Sequence, residues 1–271
     1  MSTFTAKNGQ FWLDGQPMLI QAGEFHYFRT PRAEWRQRLD LLKTAGFNAV
    51  ASYIPWLWHQ VEDGVTDVDG HSHPMRDLAG FLDLAAEMDL WIIARPGPYI
   101  NAETINEGIP PWVFSRYPQV AVINRDKRIP DFVSYQHPDY LACVTRWYQA
   151  VFEVLTPRQV TRGGKIIMMQ LDNEMGMIQW VRNMLDVNPD TLARMAAYVQ
   201  DRYGGAVQER YPGGVLTGTL RAALCTPDHP CAAQALEDYK DFYRGYLREY
   251  TQFLRTEARA NGLEVPEVIN I

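Results

Sequence analysis

Apolar and polar positions along the chain repeat one cycle, a short apolar run followed by a longer amphipathic one. "KNGQFWLDGQPMLI" holds two apolar stretches around Asp14-Gly15, a dipeptide suited to a tight turn, and predicts an antiparallel hairpin ahead of that cycle. "MLIQAGEF", residues 18 to 25, reads as a strand. "TPRAEWRQRLDLLKTAG", residues 30 to 46, reads as a helix, with Thr30 as cap, Pro31 in the first turn, Trp35, Leu39 and Leu42 on one face, and Gly46 as the stop. A strand over 47 to 53, a helix over 76 to 89, a strand over 90 to 96 and a helix over about 138 to 155 continue the cycle. "KIIMMQLD" is the fourth strand of the series. An insertion over about 185 to 240 follows, with helices expected near 190 to 203 and 235 to 260, and "VPEVINI" reads as a fifth strand.

Strands that are apolar on both faces and alternate with amphipathic helices imply a parallel sheet with helices outside it. A doubly wound sheet needs a Gly-rich turn after its first strand, and "GEFHYFRTP" is not one. The strand ends favour a barrel. They carry Gly23-Glu24-Phe25-His26-Tyr27, then Tyr53-Ile54-Pro55-Trp56, then Arg95 through Glu103, then Asp172-Asn173-Glu174. In a (β/α)8 TIM-type barrel such ends converge on one mouth, where the active site sits. The fold class expected is therefore α/β, with the hairpin and about strands 1–5 of the barrel on this chain.

Composition narrows the partners. The 271 residues can form one large core, and a net charge of −6 with no basic run argues against nucleic acid. The N-terminus lacks the pattern of a secretory signal and no segment has the length of a membrane span, so the cytoplasm is expected. The three cysteines cannot complete a disulfide framework. Cys225 and Cys231 bracket Asp228 and His229, a spacing open to a metal or a local disulfide, although a solvated loop with two ordinary thiols is favoured. Aromatics reach 12% and many lie beside Gly and Pro, as rings that stack on a sugar would.

Two carboxylic acids flanking one bond are the requirement of retaining glycoside hydrolysis. Glu174, at a barrel mouth and partly removed from water, suits the general acid. Asn173 suits a sugar 2-hydroxyl, and Glu103, Asn101, Tyr53 and Tyr99 are placed to grip ring hydroxyls. Other readings stand beside these. Asn-Glu after a strand is equally a helix cap with a first-turn acid, Glu24 and His26 suit pairing with neighbours, and Trp56 and Trp58 suit core packing.

"GEFHYFRTPRAEWRQRLDLLKTAGFNAVASYIPWLWHQVEDG", "ARPGPYINAE" and "MMQLDNEMG" together resemble the successive signature blocks of the β-galactosidases of glycoside hydrolase family 35, in order from about residue 8 to 176. "YVQDRYGGAVQERY" and "VPEVIN" are more similar to family 42. The resemblance implies a (β/α)8 barrel, removal of terminal β-linked galactose with retention, and no metal or organic cofactor. It implies Glu174 as acid/base, and Tyr53, Asn101, Ala102 through its backbone, Glu103 and Asn173 as galactose contacts. The chain departs from the family's usual residues at Asn101 (Cys), Asp172 (Glu) and Met175 (Tyr), which bears on the exact sugar and linkage. The family's nucleophile is a second Glu on strand seven. Residues 1–271 are therefore expected to be the N-terminal portion of a single barrel domain, with the nucleophile beyond Ile271. The partners expected are a β-galactoside or related carbohydrate and, as an option, further copies of the chain. Two alternatives remain, a barrel glycosidase for another β-sugar and a non-catalytic carbohydrate-binding fragment.

Overall fold

The structure, a computed structural model, describes residues 2–176 and 183–270. Ten strands are named here: β1 (Phe4–Lys7), β2 (Gln10–Leu13), β3 (Gln16–Met18), β4 (Ala22–Glu24), β5 (Ala49–Tyr53), β6 (Trp91–Gly97), β7 (Ala121–Asn124), β8 (Lys127–Val133), β9 (Ile166–Leu171) and β10 (Glu267–Val268). The principal helices are α1 (Trp35–Thr44), α2 (Leu78–Glu87), α3 (Pro138–Leu155), α4 (Pro189–Tyr203), α5 (Thr217–Cys225) and α6 (Ala232–Ala260). No helix among the described residues is long and apolar enough to cross a membrane. Contacts divide the chain into two compact units. Unit 1 comprises Met1–Val113, Cys143–Met175 and Leu254–Ile271, and unit 2 comprises Phe114–Ala142 and Gly176–Phe253.

Unit 1 carries a sheet in the order β10-β9-β6-β5-β4, with every neighbouring pair parallel. Parallel pairing hides both faces, which is why β5 and β9 are apolar almost throughout. The register aligns the C-terminal ends: Glu24 faces Ala51, Tyr53 faces Arg95, Gly97 faces Leu171, and Val268 faces Gln170. Helices connect successive strands, so the architecture is α/β of the (β/α)-barrel type, with five strands of the eight that a closed barrel holds among the described residues.

Helix α2 shows why these segments fold as they do. The Asp77 carboxylate accepts from the Gly80 N–H at 2.8 Å and closes the helix start, and Leu78, Phe81, Leu82 and Ala85 form its buried stripe. Phe81 stacks on Tyr27 at 4.7 Å and meets Trp35 of α1 edge-on at 5.6 Å. Burial of Phe81 and Leu82 contributes about 2 kcal/mol each.

The expected strand over 18–25 is two elements. Residue Met18 ends β3, which pairs antiparallel with β2, and Ala22 begins β4 in the parallel sheet. At the break the Asn48 side chain donates to the Leu19 carbonyl at 2.7 Å and accepts from the Gln21 N–H at 2.8 Å. Thr30 is not the cap of α1. A 3-10 turn over Arg32–Glu34 precedes the helix, and the Thr30 carbonyl accepts from the Trp35 indole at 2.9 Å instead.

In unit 2, β7 and β8 form an antiparallel hairpin turning at Arg125 and Asp126. Asn188 caps α4 by accepting from the Asp190 N–H at 3.0 Å, and its amide donates to the Ala121 carbonyl at 3.0 Å. Asp238 of α6, fully buried, takes Arg210, Tyr203 and Tyr211. The His229 ring accepts from the Cys231 N–H at 3.1 Å, so this pair is engaged within its own turn. Among the described residues no group of three His, Cys, Asp or Glu side chains could hold a metal ion. The last residue of "VPEVINI", Ile271, lies outside the described residues, and the strand there is Glu267–Val268.

Candidate active site

Beyond the C-terminal ends of β6 and β9 the backbone takes an unusual course. Asn101, Ala102 and Glu103 stand at φ of 59°, 52° and 50°, Asn106 and Glu107 at 51° and 55°, and Asp172 and Glu174 at 66° and 51°. Left-handed backbone costs a residue with a Cβ about 1 kcal/mol or more, so tertiary bonds must hold these segments. The Glu107 carbonyl accepts from the N–H groups of Ile100 and Asn101 at 2.9 and 3.1 Å. The Asn101 carbonyl accepts from the Thr104 hydroxyl at 2.7 Å, and the Ala102 carbonyl from the Arg29 guanidinium. The Gly97 carbonyl receives the Tyr148 hydroxyl at 2.7 Å and the Asp172 N–H at 3.0 Å, which ties the two strand ends together.

Side chains from five strand ends, β4, β5, β6, β9 and β10, come into contact here. Asn101 Nδ2 donates to Glu174 Oε2 at 2.8 Å, and the Glu174 N–H donates to Asn270 Oδ1 at 3.3 Å. Glu174 is half-buried, and at φ of 51° it does not stand in the first turn of a helix, so the capping alternative is set aside. Asn173, 3% exposed, receives three donors on Oδ1: Arg95 Nη2 at 3.0 Å, Gln170 Nε2 at 2.9 Å and Asn270 Nδ2 at 3.0 Å. Its Nδ2 donates to the Ile100 carbonyl at 3.1 Å. Arg95 also donates to the Glu24 carboxylate and to the Tyr53 hydroxyl, and its guanidinium carbon lies 3.7 Å from the centre of the Tyr53 ring.

Charge and burial set the protonation of the surrounding groups. Burial raises the Tyr53 phenol above its ordinary value, with Arg95 opposing and Glu24, Glu174 and Glu103 adding to the rise. Burial likewise lowers the His26 imidazole, which lies 5.3 Å from the Tyr53 ring. Tyr53 is therefore a neutral phenol and His26 a neutral imidazole near pH 7.

The candidates fall into two groups. Tyr53, Asn101, Asn173 and Glu174 belong to one hydrogen-bonded cluster, and Ala102 and Glu103 follow Asn101 on the same left-handed turn. Glu103 is exposed, and its charge acts on both His26 and Tyr53. Tyr99, at 1% exposure, packs in the core. Trp56 is core as well, stacked on Trp147 at 6.1 Å. Arg95, Gln170 and Asn270 were not singled out from the sequence as binding residues. A polar residue breaking the apolar run was a signal for Gln170 in β9 and for Arg95 in β6, whereas Asn270 gave none before the strands were assembled.

The profile of glycosyl hydrolases family 35 matches residues 10–224. Among curated proteins the chain is similar to a beta-1,2-glucosyltransferase of Ignavibacterium album, at 33% identity over 96% of this chain and 37% of that protein. It is similar to a beta-galactosidase of Felis catus, at 37% identity over 94% of this chain and 38% of that protein. An exo-beta-D-glucosaminidase of Thermococcus kodakarensis shares 40% identity over 61% of this chain and 22% of that protein. The chain thus spans well under half the length of these relatives. Among solved structures, a beta-galactosidase from Marinomonas ef1 superimposes with a TM-score of 0.72 at 14% identity, covering 93% of this chain and 37% of the other. At that identity the likeness concerns the fold alone. The profile match covers most of the chain, and the chain belongs to glycosyl hydrolases family 35.

Proposed function

We propose that the protein is a retaining, exo-acting glycoside hydrolase that removes terminal β-linked galactose, with Glu174 as acid/base. One observation carries this reading: the Glu174 carboxyl, anchored on one oxygen by Asn101, shares a strand-end cluster with Asn173, Tyr53 and Arg95. With Oε2 held, Oε1 is the oxygen that gives its proton to the departing glycosidic oxygen. It takes a proton back from the water that resolves the glycosyl intermediate. Tyr53, Asn101, the Ala102 backbone, Glu103 and Asn173 are the sugar contacts in this scheme. The attacking carboxylate is assigned to none of the residues described. No metal or organic cofactor enters any step. The three cysteines, which stand as free thiols, support a reducing cytoplasmic setting.

Glu174→Gln in the protein expressed from its full reading frame should slow hydrolysis of alkyl β-galactosides by about 100-fold or more. A 2,4-dinitrophenyl galactoside, whose leaving group needs no proton, should still form the glycosyl intermediate, and azide should restore its turnover. Near-normal hydrolysis of the alkyl galactoside would remove Glu174 from the role.

A second reading, another β-linked sugar at the same site, is favoured by the relatives named glucosyltransferase and glucosaminidase. A panel of aryl β-galactoside, β-glucoside, β-mannoside and β-glucosaminide separates the two, the highest kcat/KM naming the sugar.

A further inference from the structure

We propose that Arg95 is a positioning residue that turns the sugar-facing groups Asn173 and Tyr53 into hydrogen-bond donors, so that the site recognises the substrate's C2 substituent as an acceptor. This rests on the reading of the cluster as a glycoside-hydrolase site.

The amide of Asn173 has two ends of nearly equal shape, and its neighbours decide which faces where. Its oxygen meets three donors, Arg95, Gln170 and Asn270, and its nitrogen meets the Ile100 carbonyl, so the orientation has one solution. With the oxygen filled and one N–H used on Ile100, the group that remains for a ligand is the second N–H. Arg95 differs from the other two donors in its charge. A cation bound at the amide oxygen draws electron density from the nitrogen and sharpens the free N–H as a donor.

The same logic holds at Tyr53. Its hydroxyl oxygen accepts from Arg95, and its own proton is directed elsewhere. Arg95 bonds Glu24 through one terminal nitrogen and Tyr53 and Asn173 through the other, a spread across two nitrogens of a rigid fork that the single nitrogen of lysine does not reproduce. The Glu24 carboxylate anchors the other arm of the fork, and the Arg95 side chain is only 12% exposed. A sugar whose C2 carries a hydroxyl can accept from Asn173. A C2 ammonium, which has only donors to offer, meets a donor backed by a guanidinium.

The test is a substrate cycle on the full-length protein, using an aryl β-galactoside and its 2-deoxy counterpart. Arg95→Lys should lower kcat for the 2-hydroxy substrate by about 10- to 100-fold, the loss expected when hydrogen bonds to a charged group go unmade. For the 2-deoxy substrate the loss should be no more than about 3-fold, because the contact that Arg95 tunes is already missing. Guanidinium ion added to Arg95→Ala should restore kcat on the 2-hydroxy substrate alone. Equal losses on both substrates, in a variant that melts like the parent, would mean that Arg95 merely supports the fold, and would overturn the proposal. So would an Arg95→Lys protein with parental kcat. If Arg95→Lys does not fold, Glu24→Gln, which unanchors the fork while keeping its bonds to Asn173 and Tyr53, gives the same comparison with a smaller loss. Failure of the galactosidase reading is distinguishable, since the preferred aryl glycoside is then another sugar, and its 2-hydroxy and 2-deoxy forms serve for the same cycle.

Discussion

At the scale of single residues, the candidate site depends on backbone that side chains with a Cβ rarely adopt, and Gly108 marks the limit of what the turn after β6 tolerates. It stands at φ of 100°, and a Cβ there would lie 2.5 Å from Ile100 Cγ1. Ile100 is fully buried and its carbonyl receives the Asn173 amide, so it has little freedom to retreat. Gly108→Ala should cost about 1–2 kcal/mol of stability. It should also lower kcat, because the displaced Ile100 carries Asn101 with it. Thermal melts and steady-state kinetics on the same sample check both, and unchanged values in each would show that this turn has slack. Asn101 itself should matter through one bond. Asn101→Ala leaves Glu174 Oε2 without its donor and should lower kcat on alkyl galactosides by about 10-fold, an effect of the size of one hydrogen bond to a charged group.

At the scale of elements, a cap that the sequence did not disclose holds α2. Asp77 accepts from Gly80 at 2.8 Å and from Arg32 at 2.6 Å. Asp77→Ala should cost about 1 kcal/mol, a drop of a few degrees in melting temperature, whereas Arg32→Ala should cost less because its side chain is 53% exposed. Equal losses in the two melts would assign the energy to the ion pair rather than to the cap. The periodic segments were legible: α2, α3, α4, β5, β6 and β9 lie within two residues of their expected spans, since each has a continuous buried stripe. Segments decided by distant partners were not. The hairpin of β7 and β8 escaped because its turn lacks a glycine, with Arg125 at φ of 58°, and because Pro130 and the charges of "KRIPD" do not read as a strand. The run at 18–25 looked continuous because periodicity does not register a change of sheet. The site divides in the same way. Residues that end strands in acids and amides stood out, whereas the common role of Arg95, Gln170 and Asn270 exists only where β6, β9 and β10 lie side by side.

At the scale of the whole molecule, the two units should respond differently to acid, and His59 is the reason. In unit 1 this imidazole is 1% exposed, accepts from the Tyr27 hydroxyl and bonds the Asp67 carbonyl at 2.6 Å. Burial lowers its pKa to about 4, although the Asp67 contact works the other way. In the unfolded chain it titrates near its ordinary value of about 6.5. Between those two values the unfolded state takes up a proton that the folded state refuses, so unit 1 loses stability as pH falls from about 6.5 to 4, by about 3 kcal/mol in all. Below that window His59 adds no further slope and Asp67 takes over. Burial would raise its carboxyl, but the Ser72 hydroxyl and the N–H groups of Ser72, His71 and Gly70 prevail and hold it at about 2. Its contribution is present above the ordinary carboxylate range and is lost as pH falls from there toward 2. Unit 2 contains no counterpart of His59 among its shifted groups. Asp238 is lowered despite its burial by Arg210, Tyr203 and Tyr211, and acts only in the carboxylate range. Asp186 is raised by burial, so acid relieves it rather than weakening the fold. Seven of the eight tryptophans, at 12, 35, 56, 58, 91, 112 and 147, belong to unit 1, and tryptophan fluorescence therefore reports mainly on that unit. Its melting temperature should begin to fall near pH 6, and His59→Gln should reduce the slope between pH 6.5 and 4, leaving the part that His26, also lowered by burial, contributes. A fluorescence melt that stays level from pH 7 down to 5 would mean that His59 is charged in the folded protein, and that it donates to the Tyr27 hydroxyl rather than accepting from it.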